Sequence, residues 1–512
     1  MRLLRAVATI SSFTGLSRIS GLAREILMSY ILGAGIVTDA FIVAFRFPNF
    51  FRRLFAEGAL HAAFVPLFSR KMTKHGIESA RQTAEQVFSV LALVLSVLVL
   101  IVLIATPSLM FLIAPGFGRT SERLQLAIDF TRLTFPYILF ISLGALMTGM
   151  LNSIDRFAAG AAAPILLNVT MIASLLIYSF FDISPGYALS LAVLIAGVAQ
   201  FLWLYIACWR AGLHLHMTRP RLTPDVKKVM MLMIPGAFGA GVMQINLFFD
   251  MMLASFLPTG SLSYLYYADR LNQLPLSMFG IAIGTALLPK LSKLLHSNNQ
   301  EKAMATQESA IEIALQLSIP AMIGLMVLSY PLISLIYGHG KFSTQDVLAT
   351  APTLAVFALG LPAYVLGKVL TVNFFAHHDT RTPVKIAMVS VAVNLGLTLV
   401  FMGPFLHVGM AMATSISSWC TVVMLFLSLR KRGSIVLSSR LVSLTLRVIF
   451  VSAVMGLGIW LLGKWLAPPQ TIAKAIWNLS LGVGTGLGLF FFCGHWFGAF
   501  DIHSLRQSIR RT

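Results

Sequence analysis

Apolar stretches of about 20 residues recur along this chain, and they constrain its fold more than any other feature. A helix needs about 20 residues to cross a hydrocarbon core of about 30 Å. Only 11% of the residues are charged, whereas soluble domains carry about 25%. The sequence therefore predicts an all-α polytopic membrane protein with about fourteen transmembrane helices. The predicted spans are 6–32, 37–56, 86–114, 126–151, 160–181, 187–209, 229–257, 262–288, 309–337, 347–376, 383–403, 407–429, 441–465 and 474–499.

The loops between these spans differ in their basic residues. An even number of crossings places both termini on the same side of the membrane. The termini and the loops on that side hold twenty-six lysines and arginines, whereas the loops on the opposite side hold five. Basic loops mark the cytoplasmic side of a membrane protein. We therefore predict that both termini are cytoplasmic.

The first two apolar stretches contain Arg18, Arg24 and Asp39. A charge at mid-bilayer costs about 2.5–3.5 kcal/mol on insertion scales, so such residues usually face a water-filled cavity or a partner. Arg18 and Arg24 are six residues apart, which separates them by about 120° on a straight helix. We therefore predict a wet, cationic cavity, with a bend or local unwinding near Gly15 or Gly21 that aims both arginines at it.

The end of the second stretch has two interpretations. Arg46 is seven residues after Asp39, and Arg53 is seven residues after Arg46. The three residues therefore mark one polar helix face. Arg46, Arg52 and Arg53 also precede a charged loop, and arginines at helix ends often extend to the membrane surface. The sequence leaves both interpretations open.

Short motifs recur at an offset of 223 or 224 residues. Ala44–Arg46 matches Ala268–Arg270, and Ala63–Pro66 matches Ala286–Pro289. The offset contains six helices, so the two copies share one orientation and are related by a pseudo-two-fold axis along the membrane normal. We predict an N-terminal lobe at 1–209, a cytoplasmic linker at 210–228, a C-terminal lobe at 229–430, two appended helices at 441–500 and a cytoplasmic tail at 501–512.

Arg270 is the second-lobe counterpart of the first-lobe arginines. Ser263 and Arg270 are seven residues apart and share a helix face. Asp269 can also pair locally with Arg270, which would be a purely structural role.

Four stretches of the sequence are distinctive when taken together. They are Ser17–Glu25, Gly33–Phe41, Phe47–Gly58 and Tyr266–Leu271. They closely resemble the MurJ (MviN) family of bacterial lipid II flippases, and the resemblance covers essentially the whole chain. It implies a fourteen-helix inner-membrane protein with a V-shaped pair of lobes and a hydrophobic groove formed with the last two helices. The family belongs to a superfamily of multidrug, oligosaccharide-lipid and polysaccharide exporters.

The resemblance also implies a function. Members move lipid II, the undecaprenyl-pyrophosphate-linked peptidoglycan precursor, from the cytoplasmic to the periplasmic leaflet, and we expect alternating access. Lipid II and membrane lipids are the implied partners, cell-wall synthesis proteins are candidates, and nucleic acid is not expected. No cofactor is implied, and Na⁺ or the membrane potential is the candidate energy source.

The resemblance further implies a set of cavity charges that bind the substrate. Arginine suits this role because its planar fork binds phosphate groups bidentately. The family resemblance assigns Arg18, Arg24, Asp39, Arg52 and Arg270. Candidate supporting residues are Ser17, Arg53, Glu57, Ser263 and Asp269. Position 273 is Gln where some members carry Glu, so no acid is expected to act there.

A candidate cation site is formed by side-chain oxygens of the second lobe. The residues are Asp250, Asn373, Asp379 and Asn394, which could supply oxygen ligands to Na⁺. Asp379 lies just before Arg381–Pro383, and it is equally typical of a cap at the start of a helix. No other metal site is indicated.

Two other functions remain open from the sequence. A multidrug or polysaccharide-lipid exporter would share the architecture, but a drug exporter should carry membrane-embedded acids rather than clustered arginines. A non-transporting cell-wall scaffold would have no use for buried arginines. An enzyme is not predicted, because no nucleophile–base pair or metal set is evident.

Overall fold

The structure is a computed structural model that describes residues 2–53, 60–297, 299–436, 438–467, 469 and 471–499. Within these ranges the regular structure consists of sixteen α-helices and short 3₁₀ turns. Glu57 and the predicted tail at 501–512 lie outside the described residues. The helices are α1 (Arg2–Leu32), α2 (Ile36–Phe51), α3 (His61–Ile113), α4 (Glu122–Thr134), α5 (Tyr137–Asn152), α6 (Ala158–Ile177), α7 (Pro185–Arg210), α8 (Pro224–Ala254), α9 (Ser261–His296), α10 (Gln300–Val327), α11 (Ser329–Ile336), α12 (Thr344–Leu359), α13 (Leu361–Ala376), α14 (Arg381–Lys431), α15 (Ser439–Trp465) and α16 (Ile472–Trp496).

The described helices confirm the all-α polytopic fold. Each of the fourteen predicted spans coincides, over its described residues, with one helix, a pair of consecutive helices or half of a long one. Nine helical segments in the described ranges are long and apolar enough to cross a membrane. Two predicted spans, 383–403 and 407–429, both fall in α14. Leu406 separates them with a left-handed φ of 51°, two residues after Pro404.

The charged segment 57–85 is described from residue 60 onwards and begins α3. Gly76, with φ at 81°, divides α3 into two helical parts. Phe64 and Phe68 before this break are buried in the same core as Ala80 and Ala84 after it. Phe64 and Phe68 are four residues apart, as are Ala80 and Ala84, so each pair lies on one side of its helical part. The described part of the segment therefore packs into the helix bundle through these apolar residues.

The predicted duplication is visible in matching local structure. The Oγ of Ser121 caps α4 by accepting from the backbone N–H of Leu124. Ser343 caps α12 in the same way, with its Oγ 3.2 Å from the nitrogen of Asp346. Each capped helix ends at a break beside a proline, Pro136 or Pro362, before the next helix begins.

Contacts divide the chain into two compact units. Unit 1 comprises Met1–Ser263 and Gly340–Phe342, and unit 2 comprises Tyr264–His339 and Ser343–Thr512. The lobe boundaries predicted at 209 and 229 differ from this division, because α8 packs with α3 in unit 1.

The linker explains why α8 joins unit 1. Residues 211–223 run alongside α3. The Oε1 of Glu85 in α3 accepts from the backbone N–H of His216 at 3.0 Å. The Oγ of Ser89 accepts from the N–H of Thr218, also at 3.0 Å. Glu85 and Ser89 are buried. These buried acceptors fix the linker on α3, so α8 starts beside α3.

The last two helices form part of unit 2. Val448 and Met455 of α15 and Phe490 of α16 are buried in one core with Leu361 of α13. A Cβ on Gly456 would lie 2.6 Å from the Cγ2 of Ile323 in α10, so any other residue here would require the Ile323 side chain to move. At this position the glycine therefore serves close helix packing.

Candidate functional site

Arg24 is the centre of a buried polar cluster between α1 and α6. Its Nη1 donates to the Oδ1 of Asn168 at 3.0 Å, and its Nη2 donates to the carboxylate of Glu25. The Nδ2 of Asn168 in turn donates to the carbonyl of Ser17 at 2.9 Å and to the Oγ of Ser20 at 3.0 Å. Arg24 and Glu25 are only 7% and 3% exposed. Asn168 therefore orients Arg24, while Glu25 supplies its counter-charge.

Sequence reasoning did not identify Asn168. It lies in an apolar helix with no other charged or amide residue, and its partner is 144 positions away in the sequence. An asparagine in a membrane span was the available signal, since polar groups there commonly bond across helices.

Arg18 and Arg24 occupy different faces of α1. The helix continues without interruption from Arg2 to Leu32, so the predicted local unwinding near Gly15 or Gly21 is wrong. Arg18 is exposed on the surface of unit 1, whereas Arg24 is buried. This difference follows from the turn of about 120° between positions six apart on an intact helix.

Asp39 is completely buried, and its carboxylate accepts four hydrogen bonds. Oδ1 accepts from the backbone N–H of Ser263 at 2.9 Å and from its Oγ at 2.6 Å. Oδ2 accepts from the N–H of Gly260 at 2.7 Å and from the Nη2 of Arg123 at 2.6 Å. The predicted involvement of Ser263 thus takes the form of a double contact to Asp39.

Arg123 is the main correction to the predicted set of charges. It is one of the five basic residues that the sequence places in the loops opposite the termini. The Arg123 guanidinium instead pairs with Asp39 and lies over the ring of Phe117, 4.0 Å from its centroid. It is buried in the first turn of α4. Asp39 therefore ties α2 to α4 and to the 257–263 segment within unit 1.

Arg52 and Arg53 lie at the end of α2. The Nε of Arg52 donates to the Oδ1 of Asn49 at 3.1 Å, and Arg53 is exposed. Asn49 itself donates to the carbonyl of Phe45. This position at a helix end is compatible with both interpretations of these arginines.

Arg270 in unit 2 lies against an aromatic side chain. Its Nη2 donates to the hydroxyl of Tyr266 at 3.2 Å, and its guanidinium carbon is 4.6 Å from the centroid of that ring. Asp269 accepts a hydrogen bond from the side-chain amide of Gln273. A deprotonated Glu at 273 has no proton to donate, so this contact depends on the glutamine.

The four residues of the candidate cation site are divided between the two units. Asp250 is in unit 1 and accepts from the Nδ2 of Asn246 at 3.1 Å. Asn373 and Asn394 are buried in unit 2. In the described part of the chain, no group of three or more His, Cys, Asp or Glu residues could hold a metal ion.

Asp379 has a structural role that accounts for its carboxylate. It accepts from the backbone N–H groups of Arg381 and Thr382 at 3.0 Å and from the hydroxyl of Thr382 at 2.6 Å. Arg432 adds a salt bridge of 2.6 Å. Hydrogen bonds from Thr382 and the charge of Arg432 hold the pKa of Asp379 well below its ordinary value. From the position before the N-cap residue Thr380, Asp379 therefore accepts the first backbone N–H groups of α14, in agreement with the capping interpretation.

A family model described as "Lipid II flippase MurJ" matches residues 28–477. The chain belongs to this family. A probable lipid II flippase MurJ of Rhizobium tropici is 38% identical over 519 residues, covering 100% of this chain and 97% of the relative. The lipid II flippase MurJ of Burkholderia cenocepacia is 37% identical over 437 residues, covering 85% of each chain.

Solved structures agree with this membership of the MurJ family. A structure of lipid II flippase MurJ in an inward closed conformation matches with a TM-score of 0.81 and 28% identity, covering 95% of this chain and 98% of that chain. An inward-facing MATE family multidrug resistance transporter of the MOP superfamily matches at 0.70 with 17% identity, covering 84% of this chain and 98% of its own. The second match shows a shared fold alone. The resemblance that the motifs indicated is confirmed.

Proposed function

We propose that this protein flips lipid II from the cytoplasmic to the periplasmic leaflet of the bacterial inner membrane by alternating access. The observation that carries the proposal is family membership over nearly the full length, together with a relative matched from end to end. The buried Arg24 of α1 supplies the chemistry that a pyrophosphate-linked lipid requires. The substrate leaves chemically unchanged, so we propose no catalytic activity.

Arg24 is the proposed contact for the pyrophosphate group. In the described structure its guanidinium is occupied by Glu25 and Asn168. A pyrophosphate would replace Glu25 as the counter-charge, while Asn168 kept the fork in place. A buried cation left without an anion would cost about 3–5 kcal/mol. The exchange keeps an anion beside Arg24 at every stage.

Arg270 is a proposed substrate-binding residue of unit 2. Tyr266 holds its guanidinium from one face, and stacking of this kind suits arginine better than lysine. Arg18 and Arg52, which are more exposed than Arg24, are proposed to receive the headgroup at the edge of the cavity.

Three further elements of the proposal extend beyond the site. We propose that both termini are cytoplasmic, because most of the basic residues lie in the loops on their side. The energy source is Na⁺ or the membrane potential, which is worth about 2.3 kcal/mol per charge per 100 mV. Protein partners, if present, are cell-wall synthesis proteins.

Complementation of a flippase-depleted strain tests the proposal. We expect Arg24→Ala and Arg270→Ala each to abolish growth and to leave lipid II in the cytoplasmic leaflet, with the protein still present in the membrane. Arg24→Lys should restore growth only partly, because lysine keeps the charge and loses the two-pronged contact. Arg119→Ala is the matched control, since Arg119 is an exposed arginine of unit 1.

Asn168→Leu separates binding from structure. This change removes the anchor of Arg24 and leaves its charge in place, so it should weaken growth less than Arg24→Ala at equal abundance. Equal defects in the two strains would show that Arg24 acts through packing. Normal growth of both arginine-to-alanine strains would contradict pyrophosphate binding and favour a scaffold.

A further inference from the structure

A cavity of about 1040 Å³ lies in unit 1, apart from the Arg24 cluster and from Asp39. Its walls come from Thr9 and Phe13 in the N-terminal half of α1, the turn between α5 and α6, and the last turns of α7. Successive spans alternate in direction across the membrane. The side on which α1 and α6 start is therefore the side on which α5 and α7 end. The cavity therefore lies at one membrane surface, on the side of the N-terminus. Its volume is at the upper end of the range for pockets that bind small molecules.

The rim of this cavity is basic. Arg156, in the turn after α5, and Arg210, the last residue of α7, both line it. They meet each other, since the Nη1 of Arg156 lies 3.4 Å from the backbone carbonyl of Arg210. Asp155 also lines the cavity, but among the described residues no carboxylate lies within salt-bridge distance of either arginine. The rim thus offers two guanidinium groups to an anion.

The inner wall of the cavity is apolar. Phe13, Leu151 and Ile206 line it, together with Trp203, whose indole N–H donates to the carbonyl of Ala159 at 3.1 Å. Trp203 is seven residues before Arg210, which places it about 10 Å deeper along α7. The cavity therefore changes from charged to apolar over the distance that separates a lipid phosphate from its acyl chains.

The large apolar α7 residues that line the cavity, and their neighbour Trp209, are also exposed. Trp203, Ile206 and Trp209 are 46%, 47% and 60% exposed. Tryptophan is enriched where a membrane protein meets the headgroup region. These residues therefore contact lipid, and the cavity is accessible from the bilayer.

We propose that this cavity binds one anionic phospholipid of the leaflet on the side of the N-terminus. The phosphate lies between Arg156 and Arg210, and an acyl chain lies along Phe13, Leu151 and Trp203. Charge complementarity selects an anionic headgroup, since basic pockets between helices at this depth recognise such lipids. A soluble anion would leave the apolar inner wall uncovered. The proposal does not depend on which lipid the protein transports.

Lipid retention by the purified full-length protein tests the site. Native mass spectrometry would count bound dioleoyl phosphatidylglycerol and dioleoyl phosphatidylcholine at a series of concentrations. We expect one tightly held phosphatidylglycerol per chain. The double variant Arg156→Gln/Arg210→Gln should hold it about 30-fold more weakly, since each arginine near an anionic lipid contributes a factor of about five.

Three controls make the result decisive. Arg119→Gln, a change of an exposed arginine outside the cavity, should bind like the wild type. Ala207→Phe fills the cavity without touching the rim charges, so it should lose the lipid through the acyl chain alone. Inorganic phosphate should not compete, because it lacks that chain. Equal retention of phosphatidylcholine, competition by phosphate, or unchanged binding by the double variant would overturn the proposal.

Discussion

The strongest local prediction concerns the buried pair of Asp39 and Arg123. Replacing Arg123 with leucine leaves the Asp39 carboxylate with three neutral donors, two from Ser263 and one from Gly260. Removing one partner of a buried ion pair costs about 3–5 kcal/mol. The three remaining hydrogen bonds offset part of that cost. We therefore expect Arg123→Leu to lower the free energy of unfolding by about 3 kcal/mol.

Asp39→Asn perturbs the same pair from the other side. Each carboxylate oxygen accepts two hydrogen bonds, so an amide NH₂ faces two donors in either orientation. The change also leaves Arg123 buried without its counter-charge. We expect a loss of about 3–5 kcal/mol.

A double-mutant cycle measures the coupling between the two residues. The free energy of unfolding would be obtained by SDS titration in mixed micelles for the wild type, both single variants and Asp39→Asn/Arg123→Leu. The double variant should lose less than the sum of the singles by about 1–3 kcal/mol. Arg119→Gln should change stability by less than about 0.5 kcal/mol. Additive effects, or single losses below about 1 kcal/mol, would refute the reasoning.

Two further predictions concern a helix cap and a glycine. The pKa of Asp379 lies below its ordinary 3.8 in the folded protein, so its contacts stabilise the protein above pH 4 and are lost as the pH falls below that value. The stability difference between wild type and Asp379→Asn should therefore shrink between pH 6 and about pH 2.5; a constant difference would contradict this. Gly33→Ala should destabilise by about 1–3 kcal/mol, because Gly33 has φ of +68° and its Cβ would lie 2.5 Å from the carbonyl oxygen of Lys341. Gly212 has φ of +81° and open space around it, so Gly212→Ala should lower stability by only about 1–2 kcal/mol. Equal losses for the two variants in thermal unfolding would show that the close approach of Gly33 to Lys341 is unimportant.

The sequence by itself determined where the membrane-spanning helices lie. Apolar runs long enough to cross a bilayer specify helices because no other local structure satisfies their backbone groups in lipid. Ser121 and Ser343 begin helices because their side chains accept the first unpaired backbone N–H groups. The recurrence of Ala44–Arg46 at Ala268–Arg270 likewise indicated the duplication. The helices and their caps depend on neighbours within a few residues in the chain, and the duplication can be read by comparing the two halves of the sequence.

Only the tertiary structure decided the partners of the charged residues. Asp39 and Arg123 are 84 positions apart, and Arg24 and Asn168 are 144 apart. Helical spacing shows that Arg18 and Arg24 lie on different faces, but it does not show which face is buried. The same holds for α8, whose packing against α3 depends on the linker contacts of Glu85 and Ser89. The physical reason is that a helix pattern records which residues share a face, whereas the choice of the opposing helix depends on the packing of the whole bundle.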